Sequence, residues 1–126
     1  MRKLFISLVG SCICSSALAA GGWHAGTIER LLLDNRDAGD PTYPTALRYG
    51  GCAARVTPHP NTTVATCGAY VSMGCDGVIL SKSVANNNFG SAQLAYVASK
   101  RITFFIDDAY TSNGACIARS VIVEDP

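Results

Sequence analysis

Hydrophobic residues follow a period of two along most of this chain and a helical period in one segment. The clearest alternation covers residues 102–106, where Ile102, Phe104 and Ile106 are separated by Thr103 and Phe105. A period of two is that of a β-strand with one buried face. The pattern therefore predicts a strand here, with the two isoleucines and Phe104 in the core.

Further strands are predicted where β-branched and aliphatic residues are bounded by Gly, Pro, Asn or Asp. They cover residues 23–35, 45–56 (bent at Gly50–Gly51), 64–73 (irregular), 78–80 and 116–124. In the last of these, Ile117, Val121 and Val123 are expected on one face and Cys116, Ala118 and Ile122 on the other. Asn113–Gly114, just before it, predicts a tight hairpin turn.

Residues 83–100 predict the one helix of any length. Alanines fill the segment, Ser and Asn near its start can cap it, and Lys100 suits its negative C-terminal end. Leu94 and Val97 recur at helical spacing, and Tyr96 is expected to pack against the sheet.

The order of strands, helix and two more strands predicts a mainly β fold. We expect a small five-stranded barrel of the oligonucleotide/oligosaccharide-binding (OB) type, with one α-helix between the third and fourth strands.

The first 19 residues have the order of a secretory signal peptide. Two basic residues precede an apolar run, and Ala17-Leu18-Ala19 closes the segment with small residues. We expect its removal on export, which leaves residues 20–126 as a single disulfide-bonded domain, periplasmic or secreted. Cys12, which follows Val9-Gly10-Ser11, allows the alternative of a lipoprotein. This alternative would leave only a very short apolar region in the signal peptide. No later apolar stretch approaches the roughly 20 residues that span a bilayer, so no membrane span is expected.

Removal of residues 1–19 also changes the charge. Eight Lys and Arg then face nine Asp and Glu, a net charge of −1, and Lys100–Arg101 is the only adjacent basic pair. Binding to nucleic acid requires several cations on one face. A nucleic-acid partner is therefore not expected, and an acidic membrane surface is disfavoured for the same reason.

Four cysteines remain in the expected mature chain: Cys52, Cys67, Cys75 and Cys116. An even number in an exported protein predicts two disulfides. A metal site is disfavoured because there is no Cys-x-x-Cys and neither histidine has ligand-like spacing to the thiols. Three pairings are possible, of which we favour Cys52 with Cys67 and Cys75 with Cys116.

Candidate catalytic groups are sparse. His59 stands between two prolines and His24 lies near the expected mature N-terminus, and both are expected to be solvated. A serine hydrolase would need one of them beside a carboxylate and an exposed nucleophile. Asp107 and Asp108 could be glycosidase carboxylates, but adjacent strand residues point to opposite faces. We expect no enzyme and no cofactor.

Three aspartates crowd one loop and invite a calcium interpretation. Asp34, Asp37 and Asp40 are interrupted by Arg36 and Ala38, so the alternate-position rhythm of an EF-hand is missing. Solvated turn carboxylates are the better account, and no metal is expected.

Aromatic side chains are the usual platforms for sugars and bases. Tyr43 and Tyr110 lie in loops near predicted strand ends, where OB barrels commonly bind ligands. With Trp23, they are the candidate ligand-binding residues. The alternative is that they are ordinary, partly buried aromatics.

Four short motifs carry a resemblance: Gly22-Trp23 before Gly26-Thr27-Ile28, an alanine-rich helix ending at Ser99-Lys100, Ile102-Thr103-Phe104, and Gly114-Ala115-Cys116. Together they resemble a family of small exported bacterial proteins of unknown function, mostly from marine gammaproteobacteria. The layout is more distantly similar to the B subunits of AB5 toxins, including the subtilase-cytotoxin type.

The resemblance implies an exported OB-like barrel with a disulfide between Cys75 and Cys116. Toxin B subunits bind glycans as pentamers, but none of their sugar-contacting residues is matched here. Cys52, Cys67 and the Pro-rich insert between them depart from the two-cysteine members. We expect a non-enzymatic binding module for a glycan or protein ligand. The alternative is a structural or assembly subunit of a homo-oligomer or toxin-like complex.

Overall fold

The computed structural model describes residues 20–34 and 48–125, with only the backbone of Arg48. The predicted signal peptide and Tyr43 lie outside these residues. So do Asp37 and Asp40 of the aspartate-rich loop.

The described chain is mainly β, with one α-helix, as the sequence predicts. The strands are β1 (Gly21–Leu33), β2 (Cys52–Thr57), β3 (Tyr70–Ser72), β4 (Ile102–Ser112) and β5 (Ala115–Val123), and the helix is α1 (Lys82–Val97). Two short 3-10 turns, Arg48–Gly51 and Pro60–Thr62, precede β2 and β3 respectively.

The five strands form one sheet that closes in a ring, in the order β1-β2-β3-β5-β4 and back to β1. β1 is long enough to pair with β4 through its first half and with β2 through its second half. All neighbours are antiparallel except β3 and β5, which pair in parallel as Val71↔Cys116 and Ser72↔Ile117. This short parallel contact completes the ring.

The core fills the inside of the ring. Ile102, Phe104 and Ile106 are fully buried, which confirms the alternation read from the sequence. The other inward-facing positions are mostly small or β-branched: Cys52, Ala54, Val56, Val71, Cys116 and Ala118. α1 packs against β1 and β5. It is capped by Ser81, whose Oγ accepts a hydrogen bond from the amide of Val84 at 3.3 Å.

Alanines make up most of the buried face of the helix. Ala85, Ala92 and Ala95 face the sheet together with Phe89, whereas Tyr96 is 45% exposed. The expected packing of Tyr96 against the sheet is therefore wrong. Alanine on the inner face lets the helix approach closely, so the larger side chains remain outside.

The predicted faces of the last strand are also wrong in part. Cys116, Ala118, Val121 and Val123 face the core, while Ile122 is exposed. The register shifts between Phe105↔Ser120 and Ile106↔Ala118, which leaves Arg119 without an opposite residue. A β-bulge of this kind adds one residue and inverts the faces beyond it.

The second and third strands are shorter than predicted. β2 begins only at Cys52, because Tyr49, Gly50 and Gly51 have φ angles of 50°, 70° and 87°. Such left-handed residues cannot continue a strand. β3 keeps three of the ten predicted residues, and residues 78–80 form bends rather than a strand.

His24 is buried rather than solvated, with an exposed fraction of 2%. Its Nε2 lies 2.7 Å from the carbonyl oxygen of Pro58, and its Nδ1 lies 2.7 Å from Thr63 Oγ1. A carbonyl oxygen only accepts, so Nε2 carries a proton, and in the neutral imidazole Nδ1 accepts from the threonine hydroxyl. The histidine thus ties the β2–β3 connection to β1.

The two predicted disulfides are present, but the predicted pairing is wrong. The bridges join Cys52 to Cys75 and Cys67 to Cys116, with Cα–Cα distances of 5.5 and 5.3 Å. Strand pairing explains both. Cys52 lies opposite the end of β3, where its carbonyl accepts from the amide of Met73. Cys116 lies opposite Val71, close to the entry of the chain into β3.

Non-reducing peptide mapping should recover a peptide pair joined through Cys52 and Cys75 and another through Cys67 and Cys116. In the chain-entropy treatment, rings of 23 and 49 residues stabilise by about 3 and about 4 kcal/mol. Replacement of Cys67 and Cys116 together by Ser should therefore lower the free energy of unfolding more than the same change at Cys52 and Cys75. A peptide linking Cys52 to Cys67 would contradict the structure.

Candidate binding site

A cavity of about 220 Å³ opens on the outer surface where β3 and β5 run in parallel. Val71 and Cys116 face the core, so their neighbours Ser72 and Ile117 face outward into the cavity. The lining residues come from four segments of the chain: Gly50; Ser72, Gly74, Asp76, Val78 and Ile79; Tyr110, Thr111 and Ser112; and Ala115 and Ile117.

Two glycines shape the cavity wall. A Cβ on Gly50 would lie 2.7 Å from Ser72 Oγ, and one on Gly74 would lie 3.0 Å from Ile117 Cδ1. Both residues have positive φ, 70° and 68°. The backbone conformation therefore favours glycine at both positions, and at Gly50 the short distance to Ser72 Oγ adds to this preference.

Tyr49, beside Gly50, adopts a conformation that non-glycine residues rarely take, with φ of 50°. Its amide donates to Asn113 Oδ1 at 3.1 Å, and its carbonyl oxygen accepts from Ser72 Oγ at 2.7 Å. Its ring stacks on Tyr70 at 4.6 Å between centroids. Non-glycine residues with a positive φ angle are concentrated at functional sites, where the surrounding structure stabilises the unfavourable backbone conformation.

Asp76 is the only carboxylate in the described lining. Its Oδ1 accepts from the amide of Val78 at 3.1 Å, and its own amide donates to the carbonyl oxygen of Gly50 at 2.9 Å. No described residue donates to Oδ2. The turn therefore fixes the carboxylate while one oxygen keeps its capacity to accept hydrogen bonds.

Tyr110 forms the aromatic part of the lining and is 48% exposed. The guanidinium carbon of Arg119 lies 5.4 Å from its ring centroid, and Arg119 Nε donates to Asp107 Oδ2 at 3.0 Å. The pKa of Asp107 lies below its ordinary value, because the amide of Ala109 donates to this carboxylate and Arg119 adds a hydrogen bond and positive charge, against the opposing effect of burial. Arg119, fixed by its hydrogen bond to Asp107, therefore holds the ring of Tyr110 in place.

Two of the three predicted ligand-binding residues are described, and Tyr43 lies outside the described residues. Tyr110 lines the cavity, but it lies on β4 rather than in the expected loop, because β4 continues to Ser112. Trp23, 53% exposed, meets Phe105 edge-on at 5.3 Å and does not line the cavity.

Sequence reasoning did not select Asp76, Ser72 or the Tyr49–Tyr70 stack. The sequence does contain one signal for Asp76, because Gly74 and Asp76–Gly77 indicate a tight turn beside Cys75. Nothing local indicates the other two, because they depend on strands that meet only in the fold.

Asp107 and Asp108 have separate partners. Asp107 binds Arg119, whereas Asp108 contacts Ala20 and Thr66. Within residues 20–34 and 48–125, no group of three His, Cys, Asp or Glu side chains is placed to hold a metal ion. No helix of this part of the chain is long and apolar enough to cross a membrane.

Comparisons of this chain with protein-family models, curated protein sequences and solved structures found no match. The resemblance to exported bacterial proteins therefore stays a prediction, and function must be argued from the cavity itself.

Replacement of Asp107 by Asn should destabilise the protein at neutral pH and lose this effect in acid. A carboxyl group with a lowered folded-state pKa contributes stability above its unfolded pKa of about 3.9, and this stability disappears as the pH falls through the folded value. Urea unfolding of parent and variant at pH 7, 5 and 3 measures the difference. Asp125→Asn, at a fully exposed carboxylate, is the control. An Asp107→Asn effect as large at pH 3 as at pH 7 would contradict the assignment.

Proposed function

We propose that this chain is an exported, non-enzymatic binding module with an OB-like barrel, and that it recognises a neutral carbohydrate through the cavity beside Tyr110. The strand order, the parallel β3–β5 pair and the place of α1 between β3 and β4 in the chain support the OB arrangement. OB barrels bind through the face of strands 2 and 3 and the loops that join strands 1–2 and 4–5. Of the lining, Gly50 lies in the connection from β1 to β2, Ser72 lies on β3, and Ser112 ends β4 next to the β4–β5 turn.

The observation that carries the proposal is the pairing of an aromatic ring with a fixed carboxylate around an apolar floor. Val78 and Ile79 supply exposed apolar surface beside the nearly buried Ala115 and Ile117, while Asp76, Thr111 and Ser112 supply polar groups. A sugar ring has an apolar C–H face and an edge of hydroxyl groups, so it matches both parts. Hydrogen bonds from hydroxyl groups to an ionised carboxylate are about twice as strong as those between neutral groups.

Charge favours a neutral sugar. The described lining contains Asp76 and no cationic side chain. A carboxylate or sulfate on the ligand would meet the like charge of Asp76, and the guanidinium of Arg119 beside Tyr110 is already paired with Asp107, which selects against acidic sugars. The same charge disfavours nucleic acid, whose binding depends on cations.

The cavity suits binding rather than catalysis. Asp76 has no second carboxylate and no histidine beside it among the described lining residues, whereas glycoside hydrolysis uses two carboxyl groups. A volume of about 220 Å³ is below the range of about 300–1,000 Å³ typical of drug-sized ligands. The cavity therefore fits one ring of a larger glycan.

Two disulfides support export, because such bridges persist in the oxidising compartments outside the cytosol. Together with the signal-peptide pattern of residues 1–19, they favour the periplasm or the medium as the place of action.

A glycan array probed with the mature, oxidised protein tests the proposal. Binding should concentrate on neutral glycans, and Tyr110→Ala should weaken it at least about 5-fold, if stacking of a sugar on the ring contributes as much as stacking of a nucleobase, about 1–3 kcal/mol. Tyr96→Ala is the matched control, because it removes a similarly exposed tyrosine on α1, away from the cavity lining.

Two outcomes would contradict the carbohydrate proposal. One is the absence of neutral glycan binding by the parent protein. The other is unchanged binding by Tyr110→Ala when titrated by calorimetry with the best array ligand.

The second candidate is an assembly subunit, and the outer face of α1 favours it. Leu94 and Val97 are exposed on that face, Val97 by 82%, and Gly90 has open space where a Cβ would point. No charged residue occurs between Lys82 and Lys100. An uncharged apolar face can meet its own copy across a two-fold or ring interface without repulsion.

Sedimentation equilibrium separates the two candidates. If the chain is an assembly subunit, the parent should sediment as an oligomer and Leu94→Lys as a monomer. Asn61→Lys, at an exposed residue of the 3-10 turn Pro60–Thr62 rather than of α1, should change nothing. A monomeric parent across the micromolar range would remove the assembly role.

A further inference from the structure

The carboxylate of Asp108 holds the chain at the point where the described structure begins. The backbone nitrogen of Ala20 donates to Asp108 Oδ1, and the carbonyl oxygen of Ala20 accepts from the amide of Asp108 at 3.0 Å. The other carboxylate oxygen accepts from Thr66 Oγ1 at 2.6 Å. The Asp108 side chain is therefore fixed from one side by the β2–β3 connection and directed at one backbone nitrogen.

The sequence singles out the same nitrogen independently. Ala17 and Ala19 are small residues at the third and first positions before Ala20, the arrangement at which signal peptides are cut. The bond that would be cut joins Ala19 to Ala20. Its cleavage would release the one nitrogen that Asp108 contacts.

We propose that the chain is cleaved between Ala19 and Ala20 and that the new α-ammonium group of Ala20 docks on the carboxylate of Asp108. The reaction is peptide hydrolysis by an export endopeptidase acting in trans. Water adds across the amide, the bond from the Ala19 carbonyl carbon to the Ala20 nitrogen breaks, and a carboxylate and an ammonium group result. No oxidant or reductant takes part.

Cleavage changes the strength of this contact. An amide offers Asp108 one neutral hydrogen, whereas an ammonium group offers three and a full positive charge. The contact lies immediately before the first pair of the β1–β4 ladder, Gly21↔Asp107. The mature N-terminus therefore secures the start of β1 against β4, one of the strand pairs that close the ring. The folded domain thus contains a binding site for its own processed end.

The first experiment is expression of the full chain, with its leader, in a bacterial host. Terminal sequencing and intact mass of the exported, disulfide-bonded protein should give Ala20 as the first residue. A mature chain that starts elsewhere, or one that keeps Met1, would overturn the proposal.

The second experiment is a double-mutant cycle on the docked terminus. One series starts at Ala20 with a free amine, and the other carries Gly-Ser before Ala20. Asp108→Asn should lower the melting temperature by about 2–4 °C in the first series and by less than about 1 °C in the second. Equal shifts in both series would show that the amine adds nothing and would overturn the docking.

Thr66→Val provides a second variant if Asp108→Asn fails to fold. It keeps the carboxylate and removes only the hydroxyl that orients it, so its effect should again be larger with the free amine. Asp125→Asn, which removes an exposed carboxylate near the other terminus, should behave alike in both series.

Discussion

The parallel contact between β3 and β5 closes the sheet, and the disulfides and the candidate site are arranged around it. β3 has three residues and contributes two residue pairs to this contact, Val71↔Cys116 and Ser72↔Ile117. So short a strand has little stability of its own. Cys67–Cys116 fixes its entry against β5 and Cys52–Cys75 fixes its exit against β2, so covalent bonds replace the missing ladder.

The same contact creates the cavity. With Val71 and Cys116 directed into the core, Ser72 and Ile117 must face outward, and the glycines beside them allow the turns at Tyr49 and Asp76 to approach. The segment that enters β3 is also tethered to β1 by His24, a buried side chain whose two ring nitrogens are both bonded. Stability and the candidate function therefore depend on one small region, where rigidity keeps an aromatic ring and a carboxylate in fixed relation.

Local sequence patterns predicted the features that are determined by neighbouring residues along the chain. The alternation in β4, the Asn113–Gly114 turn and the single helix were predictable because each depends on residues close in sequence. The presence of two disulfides was predictable from the even number of cysteines in the expected mature chain. The disulfide pairing, the inverted face of β5 and the cavity were not. They depend on which strands become neighbours, and on a β-bulge at Arg119 that the hydrophobic periodicity of the sequence does not indicate. Tyr110 was selected as a loop aromatic, but it lies on β4, which continues six residues beyond the predicted strand and brings the ring to the cavity. Asp76 required knowledge of the turn.

Hydrogen exchange before and after reduction tests the account most directly. If the two disulfides hold β3 in the ring, reduction should sharply increase exchange at the amides of Val71, Ser72 and Met73, and then at the Asp76 turn. The amides that pair β4 with β1, at residues 102–106, should stay protected longest because that ladder contains no bridge. Equal protection of β3 in the oxidised and reduced protein would contradict the claim that the bridges close the sheet.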